Sequence, residues 1–173
     1  MNKQTMVRSL AVLVAMMVIV GVASAAAPTD VSGTYSILDV YGMPELRPAG
    51  DNCILTVDAA YPFDGDLVGM AYAQFTVVVH GPCESALPFA YRENYRATGT
   101  FEGTVLGHEG TFDFLYVGRG WPGDPGDQVV ASKIIVLSGT GELENLQGTL
   151  DITYYLGDPC NCDYYTGKMH VDP

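Results

Sequence analysis

Beyond residue 30 the chain alternates apolar and polar positions with a period of two, and glycines and prolines interrupt the alternation at short intervals. That period belongs to strands, and no segment keeps the 3.6-residue spacing of a helix. Eight strands are predicted, over 31–40, 53–60, 66–79, 92–105, 110–118, 128–137, 147–156 and 164–171. In 110–118, Phe112, Phe114 and Tyr116 share one face, and Thr111 and Asp113 share the other. In 92–105, Tyr95, Phe101 and Val105 oppose Arg96, Thr98, Thr100, Glu102 and Thr104. In 147–156, Leu150, Ile152, Tyr154 and Leu156 oppose Thr149, Asp151 and Thr153. One apolar and one polar face per strand is the mark of antiparallel sheets buried on one side.

Eight strands without a helix make either a sandwich or a closed barrel. The segments Tyr61 to Gly65 and Gly107 to Glu109 read as hairpin turns, which implies meander order. A meander of this size closes most simply into an eight-stranded antiparallel barrel, which leaves no free edge. Counting strands then sorts the loops. The long ones, 41–52, 80–91, 119–127 and 157–163, fall at one mouth and bring Cys53, Cys83, Trp121, Cys160 and Cys162 with them. The links 61–65, 106–109 and 138–146 fall at the other end.

The first 25 residues follow a different rule. Lys3 and Arg8 precede the unbroken apolar run Leu10 to Val20, and Ala23-Ser24-Ala25 is a small-x-small site. This is the layout of a secretory signal, so residues 1–25 are expected to be removed and 26–173 to form a single barrel domain. An uncleaved N-terminal anchor is the alternative. No later apolar run is free enough of charges and turn residues to span a membrane. The expected location is therefore outside the cytoplasm: secreted, periplasmic or on the cell surface.

Charge narrows the partners. The chain has 8 Lys and Arg against 20 Asp and Glu, a formal net charge of −12. Removal of residues 1–25 takes away two positive charges and no negative ones, which makes the remainder −14. An acidic surface of this kind does not neutralise phosphates, so nucleic acid is excluded as a partner. Docking on an anionic lipid surface is disfavoured for the same reason.

Several segments resemble the DUF3224 family of small proteins of unknown function, which are similar to allene oxide cyclase-like barrels. The matching residues are Phe63 to Gly69, Gly99 to Val105, Gly107 to Phe112 and Ser138-Gly139-Thr140-Gly141-Glu142-Leu143-Glu144-Asn145-Leu146-Gln147-Gly148. The resemblance covers roughly 60–156, and its motifs are mostly glycines, which report backbone geometry. It implies an eight-stranded meander barrel. It also implies a possible oligomer, since related barrels oligomerise. It carries over no catalytic residue, because fold does not imply function.

The chemistry-bearing residues each have two readings. Four cysteines in an exported chain point to disulfides, and links from the 157–163 loop to Cys53 and Cys83 are preferred. A Cys160–Cys162 bridge would close a very tight ring. A zinc site of four thiolates, or one using His170, is the rival, although Cys-x-Cys lacks the usual spacing. The Ser138 to Leu143 segment reads as a turn, because no Lys or helix follows it to bind phosphate. Asp64 with Asp66, and Asp124 with Asp127, read as turn aspartates rather than calcium ligands. No motif calls for a cofactor. Glu93 is the candidate acid or base, since alternation points it inward with Tyr91 and Tyr95 at the long-loop mouth, where burial raises a carboxyl pKa. Tyr91, Tyr95 and Trp121 are the candidate ligand contacts, with Trp121 either capping the core or gating the mouth. Three functions follow: a module binding a small apolar molecule, a structural or interaction protein with a filled barrel, and a cyclase- or isomerase-like enzyme. The enzyme is the least favoured of the three.

Overall fold

The computed structural model describes residues 27–36, 39–85 and 91–171. The expected signal segment, residues 1–25, lies outside them. Nine strands follow one another: β1 (Thr29–Tyr35), β2 (Asp39–Ala49), β3 (Asn52–Gly65), β4 (Leu67–Val79), β5 (Glu93–Val105), β6 (His108–Gly120), β7 (Gln128–Gly141), β8 (Leu146–Tyr155) and β9 (Asp163–Val171). The one helical element among the described residues is a 3-10 turn at Cys83–Ser85. All pairings are antiparallel between chain neighbours from β2 to β9, and β1 joins β9 to β3. Strands β1 and β3 to β9 thus form a closed eight-stranded antiparallel barrel.

The ninth strand corrects the expected loop 41–52. β2 pairs with the first half of β3, from Asp39↔Ala60 to Ala49↔Asn52, while β1 pairs with its far end, from Tyr35↔Phe63 to Gly33↔Gly65. β1 and β2 therefore run in the same direction along one side of β3. The sorting of loops between the two ends survives for that reason. β2 lies outside the closed ring, as an edge strand, where Pro44 and Pro48 are tolerated.

The predicted turn at Tyr61 to Gly65 is also corrected. β3 continues to Gly65, Tyr61 and Phe63 are buried in the interior, and only Asp66 separates β3 from β4. Pro62 sits where the pairing of β3 passes from β2 to β1, so its missing N–H falls at a break in the ladder. The β5–β6 hairpin turns on Leu106 and Gly107, with φ 52 and φ 86. Two successive positive φ angles match the right-handed twist of the flanking strands. The Ser138 to Leu143 segment ends β7 and turns over the same end of the barrel, with Leu143 fully buried.

The seam is held by Tyr165. Its phenol accepts the N–H of Leu67 at 2.9 Å and donates to the carbonyl of Asp64 at 3.1 Å. It is fully buried, so β9 is pinned to the β3–β4 turn from inside. Around it, Leu67, Phe101, Val105, Leu150 and Met169 are also sealed from solvent, and Phe101 stacks on Phe112 with centroids 4.8 Å apart. The short-turn end is solid. Asp66 accepts the N–H of Ser32 at 2.7 Å and so ties the β3–β4 turn to β1, and at the opposite end Asp127 accepts the N–H of Asp124 at 3.0 Å within its own loop.

Candidate functional site

The long-loop mouth holds a cavity of about 210 Å³. Its walls come from β1 (Tyr35), β2 (Val40), β3 (Leu55, Val57, Ala59, Tyr61), β4 (Phe75, Val77), β5 (Glu93, Tyr95), β6 (Tyr116), β7 (Val130) and β9 (Asp163). Period-two alternation selects these residues, because each strand turns every second side chain inward. Glycines on β6 leave room for the large neighbours on β5. Glu93 faces Gly120 and Tyr95 faces Gly118 in register. A Cβ on Gly120 would meet the Glu93 carboxylate at 2.6 Å, and one on Gly118 would meet the Tyr95 ring at 2.9 Å.

A hydrogen-bonded chain crosses this space. The Tyr95 phenol donates to Ser132 Oγ at 3.0 Å, Ser132 Oγ donates to the Tyr116 phenol at 3.2 Å, and Tyr116 bonds the phenol of Tyr35. The rings also pack on one another: Tyr95 and Tyr116 meet edge to face at 5.5 Å, as do Phe75 and Tyr116. Burial pushes Tyr35, Tyr61 and Tyr116 well above the usual phenol range, and Tyr95 up to about 12. These phenols are neutral donors and acceptors at any ordinary pH.

Two carboxyls share the cavity wall. Burial raises Glu93, and it raises Asp163 to about 7. Among the described residues neither makes an ion pair, so nothing offsets the desolvation of the charged form. Sequence reasoning found Glu93 and missed Asp163. The alternation of β9, with Tyr165 and Met169 inward, carries one step further back to Asp163; the predicted strand began one residue too late.

The other sequence candidates divide. Tyr95 lines the cavity. Tyr91 does not: its ring packs beside Gly81, where a Cβ would meet it at 2.6 Å. Trp121 lies on the outside of the mouth, in an open groove with His80, Arg92, Glu93, Asn94, Arg119, Gly120 and Pro122. Glu93 borders both spaces.

All four cysteines sit at the mouth, but the preferred links between the 157–163 loop and Cys53 or Cys83 are corrected. Cys53 pairs with Cys83, and Cys160 with Cys162. The ladder explains the first: Cys53 lies opposite Val79, so the chain leaving β4 passes directly beside it. The second is made possible by Asn161, whose φ of 50 kinks the loop and brings the flanking Cα atoms to 5.2 Å. The sulfurs thus form two separate pairs rather than one four-thiolate cluster, and among the described residues no three His, Cys, Asp or Glu converge.

A solved structure of a DUF3224 protein of unknown function from Shewanella oneidensis MR-1 has the same fold, with a TM-score of 0.62 and 21% identity over 85% of this chain and 99% of that one. No curated protein matches the chain. The sequence signature of DUF3224, described as a protein of unknown function, matches residues 31–164, which spans the barrel from β1 to the start of β9. The chain belongs to the DUF3224 family.

Proposed function

We propose that this protein is an exported barrel that binds a small, largely apolar molecule in the cavity at its long-loop mouth. The observation that carries the reading is the cavity itself: about 210 Å³, walled by aliphatic and aromatic side chains, with a few fixed polar groups. That composition is typical of small-ligand sites. A buried apolar space of about 150 Å³ is already enough to hold a benzene-sized guest. Glu93, Asp163 and the phenol chain supply the hydrogen bonds that would orient such a guest. The space also speaks against a barrel filled throughout, on which the purely structural reading depends.

The test uses the protein purified from its own host. Native mass spectrometry before and after denaturation reports any molecule lost on unfolding, together with the cleavage site and the oxidation state of the cysteines. The emptied protein is then titrated with toluene and with cyclohexanol. Saturable binding of either, lost in Ala59→Phe while the fold is kept, is the expected result. No retained molecule and no response to either probe would remove the reading.

A second reading is favoured by one observation. Two half-buried carboxyls of raised pKa border the same space, and Asp163, at about 7, suits general acid–base work near neutral pH. It distinguishes itself from binding by turnover. An isomer of the retained molecule that accumulates with the wild type, but not with Glu93→Gln or Asp163→Asn, would favour it.

A further inference from the structure

Outside the barrel wall, next to the cavity but not part of it, the groove at the end of β4, β5 and β6 has a different chemistry. Its volume is about 740 Å³. After residue 25 the chain has six Lys and Arg: Arg47, Arg92, Arg96, Arg119, Lys133 and Lys168. Lys133 and Lys168 are paired with Asp151 and Asp30. Arg92 and Arg119 both line the groove, and Arg96 continues the outer face of β5 two residues beyond Asn94. Among the described residues none of these three arginines makes an ion pair. Three of the four arginines that make no ion pair among the described residues thus lie along this stretch of surface, Arg47 on β2 being the fourth, where Coulomb's law and the surrounding negative charge would otherwise predict pairing.

The geometry around them is ordered. Arg119 lies over the ring of Trp121 at 5.7 Å, a cation–π arrangement. Trp121 is tied down by its backbone N–H, which donates to the carbonyl of Val129 at 3.0 Å. His80 bonds the Asn94 amide at 2.6 Å, and its backbone N–H donates to the carbonyl of Arg92 at 2.8 Å. Among the described residues Glu93 is the one carboxylate on the groove wall, and it also lines the cavity inside.

We infer that this groove is a second binding site, for a planar aromatic carboxylate whose carboxylate is held by Arg92 and Arg119 and whose ring lies against Trp121. Guanidinium groups suit this anion because their planar fork matches a carboxylate, two N–H groups to two oxygens. The indole supplies the flat apolar surface that selects an aromatic ring over a bare ion. The site is independent of the cavity reading.

Trp121 is the only tryptophan of the chain, so its indole N–H gives a single reporter resonance. The full chain is titrated with benzoate, benzyl alcohol, inorganic phosphate and sodium chloride at matched ionic strength. A saturable shift with benzoate is expected, with benzyl alcohol and chloride without effect and phosphate weaker. Arg92→Gln and Arg119→Gln should each weaken benzoate at least roughly tenfold, the loss expected for one charge-assisted pair. Ala59→Phe, which fills the cavity, should leave it unchanged. No saturable shift with benzoate would overturn the inference. So would an equal response to benzyl alcohol or to phosphate, or benzoate binding that both arginine variants retain.

Discussion

The two ends of this barrel are built on the same ladder and hold opposite contents. β5 shows it along one strand. Its inward positions run Glu93, Tyr95, Ala97, Gly99, Phe101, Gly103, Val105. The last large ones, Phe101 and Val105, are fully buried at the short-turn end. The first two border open space at the mouth. β9 repeats the order with Asp163 at the mouth and Tyr165 and Met169 below. Backbone geometry is shared, so side-chain choice decides which end is solid. Phe, Leu and Met interlock below. Above, phenols and carboxyls hold each other apart, and polar atoms that need partners replace close packing.

The largest expected effect tests the solid end. Phe101→Ala removes a fully buried ring that stacks on Phe112 and meets Phe63 edge to face. It should cost about 3–5 kcal/mol, measured from urea unfolding. Val57→Ala on the cavity wall should cost under about 1.5 kcal/mol, because one side of Val57 already lacks contacts. Equal costs would mean that the two ends do not differ in packing.

A carboxyl at the mouth should act with the opposite sign. Asp163 is raised from 3.8 to about 7 by burial. The folded state therefore binds the proton more tightly than the unfolded chain, and stability falls as pH rises from about 4 to about 7. Above that window the cost is complete, at most about 4 kcal/mol. Asp163→Asn should be more stable than wild type at about pH 8, with the advantage shrinking toward about pH 4. Thermal unfolding of both proteins across this range reads it. A parallel pair of pH profiles would show that the mouth is wet enough to hold the charged form at little cost.

How much of this was legible in the chain follows from the same division. The eight barrel strands were, because alternation is a local signal and one face of each strand is buried. The edge strand β2 was not: Gly42, Pro44, Pro48 and Gly50 read as a loop, and nothing local says that an edge beside β3 will accept them. The cysteines could be placed at the mouth but not paired, since pairing depends on the register Cys53↔Val79 and on the kink at Asn161. Glu93 and Tyr95 were found by alternation. The bond between Tyr35 and Tyr116 joins residues 81 positions apart, and Ser132 sits between two phenols from different strands. Those are properties of closure, and no window of sequence contains them.

The smallest effect is the sharpest probe of how dry the hollow end is. Ser132→Ala removes the oxygen that accepts from Tyr95 and donates to Tyr116. Tyr116 keeps Tyr35 as a partner, so the main loss falls on the Tyr95 phenol. If water enters the cavity and takes the place of the hydroxyl, the cost is about 0.5–1 kcal/mol. A dry cavity leaves the phenol without its serine partner and raises the cost to about 1–3 kcal/mol. We expect the lower value, because the otherwise apolar wall of this 210 Å³ space carries two carboxyls and three linked phenols in one polar strip, which can hold an ordered water beside Ser132 until an apolar guest displaces it. The Tyr95 phenol, raised by burial and held down in part by its bond to Ser132, should move further up if the cavity is dry and stay near its wild-type value if water replaces the hydroxyl. Urea unfolding gives the first quantity and ultraviolet titration of the tyrosines the second. A cost near that of Phe101→Ala would make the mouth as dry and consolidated as the closed end, and the contrast between them would be one of residue type alone.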